Sequence, residues 1–167
     1  MTLASFVVWN IINLVVMNIK MNDSHLPRNE MLDMRNRMVS FVHGFLLMFI
    51  SGYNTYFVHS QCGERNSHFE QVIMSISNGY FLYDLVAMGF LGLLDIQMMI
   101  HHSICISGFS TGLFSGKSAD ILVGALFLTE ISNPPMHVRV VLKHMGLRYS
   151  KAYETAELVY MCKLLFS

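Results

Sequence analysis

Long apolar runs separated by short polar stretches dominate this sequence. Five of them approach the ~20 mostly apolar residues that a helix needs to cross the hydrocarbon core of a bilayer. They run from about Thr2 to Ile19, Met38 to Val58, Val72 to Leu91, Ile96 to Phe114 and Ser118 to Ser132. The pattern predicts an all-α fold, a polytopic transmembrane helix bundle. Asn10, Asn13 and Asn18 weaken the first run. The stretch from Gly92 to Asp95 is so short that the third and fourth helices must be antiparallel neighbours. Asn133-Pro134-Pro135 is expected to end the fifth, because proline removes a backbone donor and clashes with the preceding turn. A sixth run begins near Ala152 and reaches Ser167, short for a full crossing. The expectation is therefore five spans plus a truncated sixth helix, with no internal repeat or low-complexity linker.

Composition agrees with this pattern. The 167 residues are 53% hydrophobic and 13% charged, against about 25% charged in an ordinary soluble domain. A soluble chain of this size could not hide so much apolar surface. A net charge of zero argues against nucleic-acid binding. Cys62, Cys105 and Cys162 lie far apart with no CxxC pair, so free thiols are expected. No basic region precedes the first run and no A-x-A site follows it, so no signal peptide is expected.

Lysine and arginine positions predict the orientation. The first loop carries Lys20, Arg28, Arg35 and Arg37, and the fifth carries Arg139, Lys143, Arg148 and Lys151. The second and fourth loops carry only Arg65 and Lys117. The first, third and fifth loops should face the cytoplasm, with the N-terminus on the opposite side. The sequon Asn22-Asp23-Ser24 would then stay unmodified.

Ionisable groups at membrane depth are costly and need a partner or a function. A rise of about 1.5 Å per residue allows their depths to be compared. His43 lies about 9 Å in from Arg37, and Asp84 about 10 Å short of the cytoplasmic end of its helix. His101 and His102 come about 8 Å into the fourth helix, and Glu130 lies within about a turn of the end of the fifth. His43, Asp84, His101, His102 and Glu130 should therefore form one polar layer. Such a layer is either interhelical glue or a pocket in which a carboxylate orients an imidazole as base or nucleophile. Adjacent histidines diverge by about 100°, so only one of His101 and His102 can face a given pocket. These donors would suit a carboxylate–imidazole metal site. The sequence has no HExxH or HxxxH pattern to place two ligands on one face, and no metal is expected. No phosphate loop or nucleophile elbow occurs, and no cofactor is expected. Tyr80 and Asp84 share one side of the third helix, and Gly79 beside them suits close helix packing.

Several ordered motifs resemble the TLC domain family. They are Arg37, Ser40 and His43 in one helix, Gly79-Tyr80-Phe81-Leu82-Tyr83-Asp84-Leu85 in the next, and Met99-Ile100-His101-His102 after it. Thr129-Glu130-Ile131-Ser132-Asn133-Pro134 follows, with His137, Arg139 and Leu142. The resemblance divides the chain into residues 1–34, a first transmembrane helix and cytoplasmic loop, and 35–167, a TLC domain cut short at its C-terminus. That family includes ceramide synthases, in which paired histidines serve acyl-CoA-dependent N-acylation of a sphingoid base. The resemblance implies membrane lipids as partners, and acyl-CoA or a sphingoid lipid if that reaction carries over. The catalytic residues would then be His101, His102 and Asp84. Ceramide synthases continue with His-Asp and Ser-Asp pairs where this chain reads Glu130-Ile131-Ser132-Asn133. The resemblance therefore bears on the fold more than on the reaction. Lipid handling or homeostasis without catalysis is the favoured expectation. A ceramide-synthase-like acyltransferase and a non-catalytic membrane scaffold or trafficking factor are the alternatives. The endoplasmic reticulum or a related endomembrane is implied by the resemblance alone, and Leu165-Phe166-Ser167 is no retention signal.

Overall fold

The computed structural model describes residues 1–20, 26–58 and 63–166. The expected sequon at 22–24, Cys62 and the side chain of Cys162 lie outside the described residues. Every named element is helical: α1 Thr2–Asn18, α2 Arg28–Tyr53 running on into a π-helical turn at Asn54–Val58, α3 His68–Leu91, α4 Ile96–Ser115, α5 Ala119–Glu130, α6 Asn133–His144 and α7 Lys151–Phe166.

The first run is a helix despite its asparagines, because the amides turn back on their own helix. Asn10 Nδ2 donates to the Phe6 carbonyl and Asn18 Nδ2 to that of Leu14, both at 2.7 Å. α1 packs on α3, where Gly79 leaves the necessary gap. A β-carbon there would stand 2.5 Å from Ser5 Cβ and 2.8 Å from the Phe6 amide nitrogen. In that gap Ser5 Oγ and Trp9 Nε1 both donate to the Ile76 carbonyl, at 3.0 and 3.3 Å.

α2 starts ten residues before the apolar run that announces it. The polar stretch stays helical because its charges find partners. Arg37 pairs with Asp33 at 2.8 Å across one turn. The buried Arg35 guanidinium donates to the carbonyls of Val16 and Met17 in the last turn of α1. The third and fourth runs appear as α3 and α4. Ser67 and Glu70 form a capping box at the start of α3. Left-handed Gly92 ends it, and Asp95 caps α4 by accepting from the Met98 amide at 2.8 Å.

The fifth helix ends before the prolines as expected, but the chain returns to helix at once. α5 ends at Glu130, before them, and Pro134 and Pro135 open a further helix. The first turn of a helix has no use for those amide donors, so proline is tolerated there. α6 is amphipathic, with a polar side carrying Arg139, Lys143 and His144, and it packs against α2 and α7. The stretch expected to be a fifth loop is therefore largely a helix.

Two clusters mark opposite ends of the bundle. His144 lies 3.2 Å from Glu30 Oε2 and 3.4 Å from Asp33 Oδ2, joining the first and fifth loop regions. At the other end Arg65 and Lys117 form a backbone bridge between the second and fourth. Asn66 locks that junction by donating to the Gly112 carbonyl and accepting from the Ala119 amide. Among the described residues one helix, Arg28–Val58, is both long and apolar enough to cross a membrane, and Thr2–Asn18 is a shorter apolar helix. α5, with 12 residues, is about 18 Å long, well under the ~30 Å of a hydrocarbon core. All five expected spans thus exist as helices, and one of them meets both criteria for a crossing.

Candidate functional site

Of the five residues expected in the layer, the three histidines surround the ring of Phe81, and Asp84 and Glu130 each pair with one of them. That ring lies 5.8 Å from His43, 6.1 Å from His101 and 5.6 Å from His102, centroid to centroid. The layer divides into two separate acid–imidazole pairs rather than one convergent cluster.

The first pair joins α3 to α4. His102 Nε2 lies 2.9 Å from Asp84 Oδ2, and both side chains are buried. His102 Nδ1 lies 2.9 Å from the Met98 carbonyl. A carbonyl only accepts, so Nδ1 carries a hydrogen. Two protonation states then satisfy the second contact. Either Nε2–H donates to the carboxylate, or a protonated Asp84 donates to Nε2. In both states the pair holds one shared proton and is neutral overall, which suits a low-dielectric interior. Asn36 completes the network from α2. Its amide donates to Asp84 Oδ1 at 2.9 Å, and its carbonyl oxygen accepts from the Tyr83 hydroxyl at 3.3 Å.

The second pair joins α2 to α5. His43 Nδ1 lies 3.5 Å from Glu130 Oε1, with both side chains buried. Asn133, at the start of α6, donates to the other oxygen of Glu130 at 2.8 Å. The His43 ring stacks on Tyr80 at 3.7 Å with an interplanar angle of 12°, and Trp9 meets it edge-on. The Tyr80 hydroxyl donates to Ser40 Oγ at 2.9 Å. Gly44 makes room for this pair, since a β-carbon there would come within 2.9 Å of Glu130 Oε2. His137 of α6 is buried nearby, and burial, with the charge of Arg37 adding to it, holds its imidazole down at about 4.

His101 belongs to neither pair. It is exposed on α4, touching Cys105 Sγ at 3.8 Å, and it faces a cavity of about 460 Å³ between α4 and α5. The shaft of that cavity is apolar, lined by residues such as Phe81, Phe109 and Leu126. Its polar end carries His101, Thr129, Glu130, Ser132 and Asn133. The adjacent histidines are thus split by the turn of the helix. His102 is tied to Asp84 inside the bundle, while His101 and Glu130 border the space a ligand could enter. Among the described residues no three His, Cys, Asp or Glu side chains gather as metal ligands.

Sequence reasoning missed Asn36 and Trp9. Asn36 sits in the charged stretch read as a loop. The one signal for it was its position four residues before Ser40 and seven before His43, on the same face of an extended α2. Trp9 had no signal beyond being the sole tryptophan.

Residues 29–167 match the TLC domain. The zebrafish (Danio rerio) "TLC domain-containing protein 2" is 28% identical over 130 residues, covering 74% of this chain and 52% of that protein. The chain thus spans about half the length of this curated relative. No solved structure matches. With its polar motifs brought together in an all-helical bundle and the family match extending over most of its length, this chain belongs to the TLC domain family.

Proposed function

We propose that this chain is a multi-pass membrane protein of lipid handling or homeostasis, which holds a membrane lipid in the α4–α5 cavity. The observation carrying this reading is the form of the cavity. An apolar shaft ends at an imidazole, a carboxylate, two hydroxyls and an amide, matching the division of a lipid into chain and headgroup. The layer of basic residues around α6 and the first loop supports a cytoplasmic position for that end and a non-cytoplasmic N-terminus. Residence in the endoplasmic reticulum or a related endomembrane is proposed from the family alone.

The test is retention of lipid by the purified protein. His101→Ala removes a polar group from the cavity mouth and leaves the hydrogen bonds of the two buried pairs in place. It should lower lipid retention about tenfold, the loss of one hydrogen bond to a charged group. The thermal midpoint should stay essentially unchanged, as for other exposed substitutions. Equal retention by both proteins would defeat the reading.

One observation favours a second reading, an acyl-CoA-dependent N-acyltransferase. His101 is open to the cavity, and its ring lies 5.5 Å, centroid to centroid, from that of His102, which is paired with Asp84. His101 would act as base or nucleophile, with the buried pair positioning it. Acylation of a sphingoid or other amine acceptor by isolated membranes, lost in His101→Ala, would establish this reading. Its absence in the wild type would remove it.

A further inference from the structure

A second hollow adjoins the cavity. A groove of about 760 Å³ runs along the outer side of α4 from Met99 to Ser115, against Ser118, Ile121 and Leu122. Ile104, Gly108 and Leu122 line both spaces. The sequence suggests a polar groove, because Ser103, Ser107 and Thr111 recur every fourth residue. The structure makes it apolar. Each hydroxyl donates back to its own helix, to the carbonyls of Met99, Ser103 and Ser107 at 2.7 to 2.8 Å. These hydroxyls have no proton left to offer a ligand, and most of the groove's surface is carbon.

Ile104 and Leu122 are the side chains that border both spaces. Leu122 of α5 sits over the notch formed by Gly108 and Gly112. A β-carbon on Gly108 would just touch Leu122 Cδ2 at 3.9 Å, and one on Gly112 would overlap Cδ1. The lengths then decide what can occupy the inner cavity. Its α4 lining runs from His101 to Phe109, about 12 Å of helix. A full acyl chain of one leaflet spans about half of the ~30 Å hydrocarbon core, roughly 15 Å. Such a chain with its headgroup at His101 and Glu130 does not fit the inner cavity alone. Continued past Gly108 into the groove, the α4 path from His101 to Ser115 is about 21 Å long, enough to hold the whole chain.

We propose that cavity and groove form one slot for a single extended acyl chain of a membrane lipid, with Leu122 over Gly108 as the neck that sets the chain length accepted. This rests on the lipid-holding reading above. The surrounding bilayer is as apolar as the slot, so a longer chain gains no hydrophobic free energy by entering. Selection therefore works through fit at the neck, and small volume changes there have direct effects.

The experiment uses the full chain reconstituted in vesicles of phosphatidylcholines with mixed short, medium and long saturated chains. The protein is re-extracted, and the lipids that co-purify are identified by mass spectrometry. Gly108→Leu narrows the neck and should shift the retained chains to shorter lengths. Leu122→Ala widens it and should shift them to longer ones. Lipid retained by the wild type, with neither folded variant moving the distribution, would overturn the proposal and leave the cavity reading intact. Wild-type protein that retains no lipid would overturn the cavity reading and the slot together. A photo-crosslinking residue in place of Ile121, on the groove wall, should capture lipid. Capture of a second copy of this chain or of another protein's helix would overturn the acyl-chain assignment of the outer groove.

Discussion

Asp84→Ala should be the most damaging single change in the bundle, lowering stability by roughly 3–5 kcal/mol, the usual cost of removing one partner of a buried pair. The truncation strips His102 Nε2 and the Asn36 amide of their shared partner at once, at a buried position. Asp84→Asn should cost far less, within about 1 kcal/mol. An asparagine can turn its amide toward a neutral His102 Nε2 and its oxygen toward the Asn36 amide, so both contacts survive without charge. Thermal unfolding of the two variants in detergent measures the difference. Equal loss in both would mean that the shared proton and its charge matter more than the hydrogen bonds. The same pair of proteins separates structure from chemistry. If Asp84 positions His101 for a reaction, Asp84→Asn should keep the fold and lose the activity.

Gly79→Ala should detach α1 from α3, with a loss of about 1–3 kcal/mol, the range for overpacking a well-filled interface. The added β-carbon meets Ser5 Cβ and, more seriously, the backbone nitrogen of Phe6, which no rotamer change can move. Separation also breaks the two hydrogen bonds from Ser5 and Trp9 to the Ile76 carbonyl. Trp9 would then leave the edge of the His43 ring, loosening the His43–Glu130 pair from the far side. Adding Ser5→Gly should recover part of the loss by removing one of the two clashes. Protease accessibility of α1 alongside the thermal midpoint would show whether the helix has come away. An unchanged midpoint in Gly79→Ala would show that α1 can shift freely, contrary to the tight packing described above.

Helix existence was legible because it is a local property. The apolar runs, the Gly92–Asp95 turn and the Ser67–Glu70 cap are each written within a few neighbouring residues. The meeting of the three histidines around Phe81 was legible too, since depth along a helix follows from counting residues at a fixed rise. The start of α2 was not. Hydropathy ends where Arg28–Arg37 begins, whereas helicity continues as long as Arg35 and Arg37 find partners, and Arg35 finds its partners on α1. That Pro134-Pro135 would also start a helix was not legible for a related reason. Proline forbids continuing a helix but permits starting one, and only the packing of α6 on α2 selects between them.

What the sequence determined by itself is therefore an all-helical, strongly apolar chain with His43, Asp84, His101, His102 and Glu130 at one height. Rotation of each helix about its own axis was decided only in the folded bundle. That rotation is set by side chains on neighbouring helices, through the gaps left by Gly44, Gly79, Gly108 and Gly112. It turns His102 inward onto Asp84 and leaves His101 facing the cavity, although the two are adjacent in the chain. It also pairs His43 with Glu130 rather than with Asp84. Height is a sum over local geometry, whereas direction depends on which neighbour each helix packs against. The pairing of acids with imidazoles, and the space left for a ligand, come from the second.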